Sequence, residues 1–309
     1  MLSRRNIRVK VMQTLYAIER MAGSEKPGEP NSILIKKIEQ SKHLFSYLIY
    51  FITETARYAE TDAANKASKN LPTAADLATN TKIAGNEILW KIVENLSFIG
   101  TTKEMKAEYI IDKELLKKTY RTLIETVEYK EYIEAQSRDK KAEKKILEFI
   151  FTDLLLPNED FITHIEDHFI NWDDDAEMMH SLVLAYLGKP AQQNLQDFLS
   201  LEKRGFAKDL MNAVIDKCEQ TLVLIKPKLK NWEADRIASL DLILIKMGVC
   251  EFLYFETIPT KVTINEYIDL AKAYSTPQSG QFINGLLDSI NKELAAENKL
   301  DKIGYKGKN

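Results

Sequence analysis

Leu240-Asp241-Leu242-Ile243-Leu244-Ile245-Lys246-Met247-Gly248-Val249-Cys250-Glu251-Phe252 decides the fold class, since only Asp241, Lys246 and Glu251 in it carry charge. At about 100° per residue its apolar positions cover every side of a helix, and a helix apolar all round is a central core helix. A buried strand is the competing reading, and it fails on length. The pattern predicts a helix over 233–255. Charges on such a helix either pair internally or face an interface, and both options stand for Asp241 and Lys246.

Working outward, residues 206–226 read as an amphipathic helix that ends before Pro227. After Pro259, Thr263-Ile264-Asn265-Glu266 has the spacing of a capping box, in which threonine and glutamate satisfy two backbone donors reciprocally. Asn265 and Glu266 are accordingly read as structural. Ile264, Tyr267, Ile268, Ala271 and Tyr274 trace one helix face, Pro277 breaks it, and a last helix starting at Ser279 carries Phe282, Ile283, Leu286, Leu287 and Ile290. Gly285 falls mid-helix at a cost of about 1 kcal/mol relative to alanine, which predicts close approach by another helix.

Upstream, residues 4–20 form an amphipathic pattern through Ile7, Val11, Leu15 and Ile18, with Ser3 as N-cap. Helical patterns follow at 33–58, 82–98, 112–136, 139–155, 158–170 and 174–187. Loops are predicted at 21–30 and at the polar stretch 61–81. The expectation is an all-α protein, and 11 Gly and 8 Pro in 309 residues, placed mostly between the periodic stretches, agree with it.

The apolar content of 45% excludes a disordered chain, and a net charge of −3 does not by itself suggest a nucleic-acid binder. Charge distribution says more. Arg4, Arg5, Arg8 and Lys10 open the chain without an acid, and Lys299, Lys302, Lys306 and Lys308 close it against Asp301 alone. Arg4, Arg5 and Arg8 fall within an arc of about 100° on the first turns of a helix, where the macrodipole disfavours cations by about 0.3–1 kcal/mol each. A cluster that opposes local stability suggests an anionic partner such as RNA phosphate; a merely solvated basic end is the alternative. Cys218 and Cys250 read as buried reduced thiols. The basic start leads into an amphipathic pattern rather than a cleavage site, and apolar runs such as Leu242–Ile245 are short for a membrane span, so a cytoplasmic protein is expected.

Other constellations carry less. His164 and His168 share a helix face, but Ile165 breaks the H-E-x-x-H order of zinc hydrolases, and a solvated helix is the favoured reading. Asp173-Asp174-Asp175 suits a helix start. No Walker loop, G-x-G-x-x-G or G-x-S-x-G occurs, so no enzyme, cofactor or metal is expected.

Several motifs in register resemble the NusB family. They are Trp232-Glu233-Ala234-Asp235-Arg236 with Asp241 and Glu251-Phe252-Leu253, then Ile258-Pro259-Thr260-Lys261-Val262-Thr263-Ile264-Asn265-Glu266, Leu270-Ala271-Lys272 and Phe282-Ile283-Asn284-Gly285-Leu286-Leu287-Asp288. The opening Arg4-Arg5, Arg8, Gln13, Leu15 and Tyr16 is similar to the family's first helix. The resemblance covers about 3–20 and 200–295. It divides the chain into a first core helix (1–20), a helical insertion of unknown role (21–199), the main core (200–298) and a basic tail (299–309).

The resemblance implies an all-α NusB-like bundle of two helical subbundles. It further implies binding of single-stranded boxA-type RNA together with the ribosomal protein NusE, within a complex on RNA polymerase that suppresses termination of ribosomal RNA transcription. Arg4, Arg5, Arg8, Tyr274, Gln278 and Phe282 are the implied RNA-binding residues. Tyr16, Asp235, Asp241 and Lys246 are the implied partner-binding ones. Sequence-selective binding of a single strand calls for stacking aromatics, and Tyr274 and Phe282 fit that role and core periodicity equally. Two rival readings are a protein-binding helical scaffold and a recognition module of an RNA-modifying enzyme. The second is weakened by the lack of a cofactor-binding α/β region in the sequence.

Overall fold

A computed structural model describes residues 1–20, 29–190, 194–229 and 238–303. Among these the secondary structure is helical throughout, with no strand. The chain divides into two compact units, the first formed by Met1 and Glu39–Phe198, the second by Leu2–Ile38 and Leu199–Asn309.

The helices are α1 (Arg4–Arg20), α2 (Glu29–Ala67), α3 (Ala74–Leu77), α4 (Glu87–Val93), α5 (Leu96–Glu104), α6 (Ala107–Ile110), α7 (Lys113–Glu125) and α8 (Val127–Glu134). There follow α9 (Lys140–Phe149), which runs into a π-helical turn at Ile150–Leu155, α10 (Glu159–His168) and α11 (Trp172–Gly188). The last are α12 (Leu201–Asp216), α13 (Cys218–Ile225), α14 (Ser239–Tyr254), α15 (Thr260–Tyr274) and α16 (Ser279–Ala296).

In the second unit α14 is the central helix. Every residue from Ile243 to Phe252 is buried, and α1, α12, α13, α15 and α16 all pack on it. Ile7, Val11 and Leu15 of α1 are buried and Ile18 is half-buried, with α12 and α14 as the packing partners of that helix. Ser3 caps α1 as predicted: its Oγ accepts from the Asn6 amide, and Asn6 Oδ1 accepts from the Ser3 amide.

Three local expectations for this unit are overturned. Residues 206–226 are two helices, because Lys217 leaves helical geometry (φ −104, ψ 16), which turns Thr221 and Ile225 of α13 inward where α13 meets α14. The expected capping box at Thr263 is absent. The helix already starts at Thr260 after Pro259, and the Thr263 hydroxyl donates to Glu251 instead. Gly285 is not a close-approach point, since a Cβ there would meet nothing within 4 Å. The tight contact is at Gly248, where a Cβ would lie 2.9 Å from a Leu287 methyl.

In the first unit, short helices replace long predicted ones because asparagine and threonine caps interrupt the apolar periodicity. The predicted helix 112–136 is cut at Thr126, which is extended (φ −71, ψ 153) and accepts from the Tyr129 amide to start α8. Asn86 and Asn95 likewise cap α4 and α5 inside the predicted helix 82–98, whereas Asp112, Asp139 and Asn158 cap α7, α9 and α10 at the predicted starts. Conversely, the stretch expected to be a loop from 61 is helical to Ala67, where alanines favour the helix and Lys66 pairs with Asp62 at 2.7 Å. The three aspartates 173–175 occupy the first turn of α11, and Asp175 is buried there, accepting from Ser41 and Asn171.

Candidate nucleic-acid interface

The start of α1 separates the three arginines grouped by sequence. Arg4 pairs with Glu202 of α12 at 2.8 Å, and its guanidinium stands 5.6 Å from the Phe206 ring centre. Arg5 pairs with Asp269 of α15 at 3.1 Å. Both side chains stay 41–45% exposed, and surface pairs of this kind are weak enough to exchange for a phosphate.

Arg8 is different: it is buried, which corrects the reading of the three arginines as one cluster open to RNA phosphate. Its side chain is 3% exposed and forms a bidentate pair with the fully buried Glu251, at 2.6 Å from Nε and 3.0 Å from Nη2. Glu266 lies 3.4 Å from its Nη1. Thr263 and Tyr267 donate to the same Glu251 carboxylate, at 3.1 and 2.9 Å. Burial pulls against the Arg8 charge, but hydrogen bonding to Glu251 and the nearby carboxylates outweigh it and hold the guanidinium above its ordinary pKa. The Tyr267 hydroxyl is pushed well up, first by burial and then by Glu251. Arg8 is therefore a charged core residue locking α1 to α14 and α15. A signal for this was present in the sequence: Glu251 on an apolar helix needed a buried cation.

The tail is tied to the same helix. Lys302 donates to the carbonyls of Glu251 and Phe255, at 2.7 and 2.8 Å, at the end of α14, and burial lowers its pKa. Lys299 pairs with Glu297 at 2.7 Å, while Lys306 and Lys308 lie outside the described residues.

Asp241 takes internal partners. Its carboxylate accepts from Ser275 Oγ at 2.6 Å and from Ser279 Oγ at 2.7 Å. It thereby fixes the turn between α15 and α16, on which Pro277 and Gln278 are exposed. Tyr274 and Phe282, on either side of the turn, are both half-buried, so each presents part of its ring. Gln278 and Phe282 line one open groove of about 570 Å³ with Lys228, Gln281, Gly285, Leu286 and Ser289. The groove combines an aromatic ring, two side-chain amides, a lysine and a helix backbone bare of side chain at Gly285.

At the other end of α1, Tyr16 is half-buried and accepts from Arg20 at 2.6 Å, with the Arg20 guanidinium 5.1 Å from its ring centre. Lys246 is nearly buried and reaches Glu19 at 3.4 Å. Asp235 lies outside the described residues.

In the other unit, both histidines singled out by sequence have protein partners. His164 Nε2 is 2.6 Å from the Tyr47 hydroxyl, and His168 Nδ1 is 2.9 Å from the His164 carbonyl. Burial lowers the His164 pKa. Among the described residues no group of three potential ligands could hold a metal, no helix is long and apolar enough to cross a membrane, and both cysteines are free.

The sequence profile of the NusB family matches residues 166–292. A transcription antitermination protein NusB from Salinibacter ruber is 37% identical over 133 residues, covering 43% of this chain and 77% of that relative. The chain belongs to the NusB family. A NusB protein from Finegoldia magna is 44% identical over 85 residues, 28% of this chain and 62% of the relative. One from Listeria monocytogenes is 34% identical over 98 residues, 32% of this chain and 77% of the relative. No solved structure matches. The NusB match contains α11 to α15 and most of α16, and it begins within α10, inside the segment 21–199 that motifs alone leave unassigned.

Proposed function

We propose that this protein is a transcription antitermination factor that binds single-stranded boxA-type RNA together with NusE. Its relatives carry the name of transcription antitermination proteins. The observation that carries RNA binding is the open groove on α16, where Phe282 offers a stacking face and Gln278 and Gln281 offer amides able to bond base edges. Arg4 and Arg5 would supply phosphate contacts, and Tyr274 a second ring. The partner surface would be the last turns of α1, with Tyr16 and Lys246; Asp235, also assigned to partner binding, lies outside the described residues. Asp241 would act through the turn that it holds.

In this reading the protein recognises rather than catalyses, joins the antitermination complex on RNA polymerase, and works in the cytoplasm where transcription occurs. We assign residues 1–20 and 200–298 to the NusB-like core, and the family match over 166–292 supports adding 166–199 to it. The remainder of 21–199 is read as an added segment, of which the start of α2 up to Ile38 groups with the second unit, and 299–309 as a basic tail.

Anisotropy of a labelled boxA RNA, titrated with the intact chain with and without NusE from the same organism, tests the proposal. Tighter RNA binding in the presence of NusE is expected. Binding of NusE without any RNA affinity would instead mark a protein-binding scaffold.

A further inference from the structure

The first unit carries a groove of about 680 Å³ that the RNA reading does not use, lined by α2 on one side and by α6 and the start of α7 on the other. Tyr50, Glu54, Arg57, Tyr58 and Thr61 recur along α2 at helical spacing, so they share one face of it. Glu108, Tyr109 and Ile111 come from the opposite wall.

Three tyrosines line this groove, and Tyr109 is 80% exposed, with almost nothing of its own chain covering the ring. Two of the three cations of the groove are paired with local acids, Arg57 with Glu54 at 3.0 Å and Lys117 with Glu114 at 3.5 Å, and Lys113 is the third. Glu60 and Glu108 are exposed and add carboxylate charge from both walls. The Tyr50 hydroxyl is raised to about 12, by burial and then by the charges of Glu54 and Glu108. Burial raises Glu54 above the usual carboxylate range despite Arg57, so that a further cation there would be stabilising. A tyrosine face beside carboxylates is the chemistry that receives guanidinium and ammonium groups.

We propose that the groove between α2 and α6–α7 docks a basic, arginine-bearing peptide segment of a partner protein, its cationic side chains set against Tyr50, Tyr58 and Tyr109 and paired with Glu60 and Glu108. With Glu54 and Glu114 paired to Arg57 and Lys117, Glu60 and Glu108 stand against Lys113 alone, a balance that disfavours a nucleic-acid strand in the same place. The proposal is independent of RNA binding by the other unit.

The test uses the intact chain and a short fluorescent peptide of alternating arginine and serine, with an oligouridylate as the competing probe. The variants Tyr109→Ala, and Glu60→Gln with Glu108→Gln, change exposed side chains and leave the helices capped and packed. Each is expected to weaken peptide binding about fivefold or more, with Tyr109→Phe retaining it. A control with Glu202→Gln and Glu297→Gln, acids of the other unit, is expected to leave it unchanged. Equal weakening by the control pair, or no weakening by the groove variants, would overturn the proposal. So would loss of oligouridylate rather than peptide binding in those variants.

Discussion

Arg8 and its neighbours Arg4 and Arg5 show how three like residues in one helical turn come to different uses. Arg8→Ala leaves Glu251 buried without its cation, and it should cost about 3–5 kcal/mol of stability, measured by urea unfolding. Loss of less than about 1 kcal/mol would mean that the pair is solvated. Arg4→Ala with Arg5→Ala should cost little, since exposed pairs contribute about 0–1 kcal/mol each. If both arginines neutralise phosphates, the double variant should flatten the slope of log affinity for single-stranded RNA against log salt by about 1.4. The charge pattern made the basic cluster legible in the sequence but not its division, because the burial of Arg8 depends on Glu251, Thr263, Glu266 and Tyr267, which are brought to it only by tertiary packing. Gly285 taught the converse. Its place in a helix was legible, yet the compensating contact is absent, so Gly285→Ala should stabilise the fold by up to about 1 kcal/mol in the same unfolding assay. An unchanged or lower stability would contradict the open space seen at that position.

Helices set by strong periodicity were the most legible elements. The predicted core helix 233–255 was read from its all-round apolar pattern, and its described part is α14, buried without interruption from Ile243 to Phe252, while 233–237 lie outside the described residues. Elements set by caps were less so: Thr126 and Lys217 each end a helix that apolar spacing would have carried onward. The turn between α15 and α16 was legible at Pro277, but its clamp by Asp241 required knowing which side chains face one another. Removing that clamp by Asp241→Asn should weaken RNA binding more than stability if the turn presents Gln278 and Phe282, as paired binding and melting measurements would show. Within α10, burial depresses the His164 pKa, so the folded state binds a proton less readily there than the unfolded chain, whose histidine has its ordinary value near 6.5. Stability associated with His164 should be present above that value and be lost as pH falls below it. A proton NMR titration of the His164 ring should show a midpoint below 6.5; a midpoint above it would remove the desolvated environment.

At the scale of the whole molecule, two compact helical units share one chain, and the family match extends from the end of the first through most of the second. The motifs that make the chain similar to NusB proteins were legible because they bind the core helices α14, α15 and α16 into one register. The segment before them was legible only as helical, since nothing in its motifs fixes its partners. The central claim is that the second unit selects a single-stranded RNA through the α16 groove and the exposed arginines of α1. The measurement that tests it most directly is the affinity of the intact chain, with NusE present, for boxA RNA and for a scrambled strand of the same composition across a salt series. The account predicts tighter binding of boxA at every salt concentration, an affinity that falls with salt, and loss of the preference in Phe282→Ala. Equal affinity for the two strands, or a preference untouched by Phe282→Ala, would contradict it.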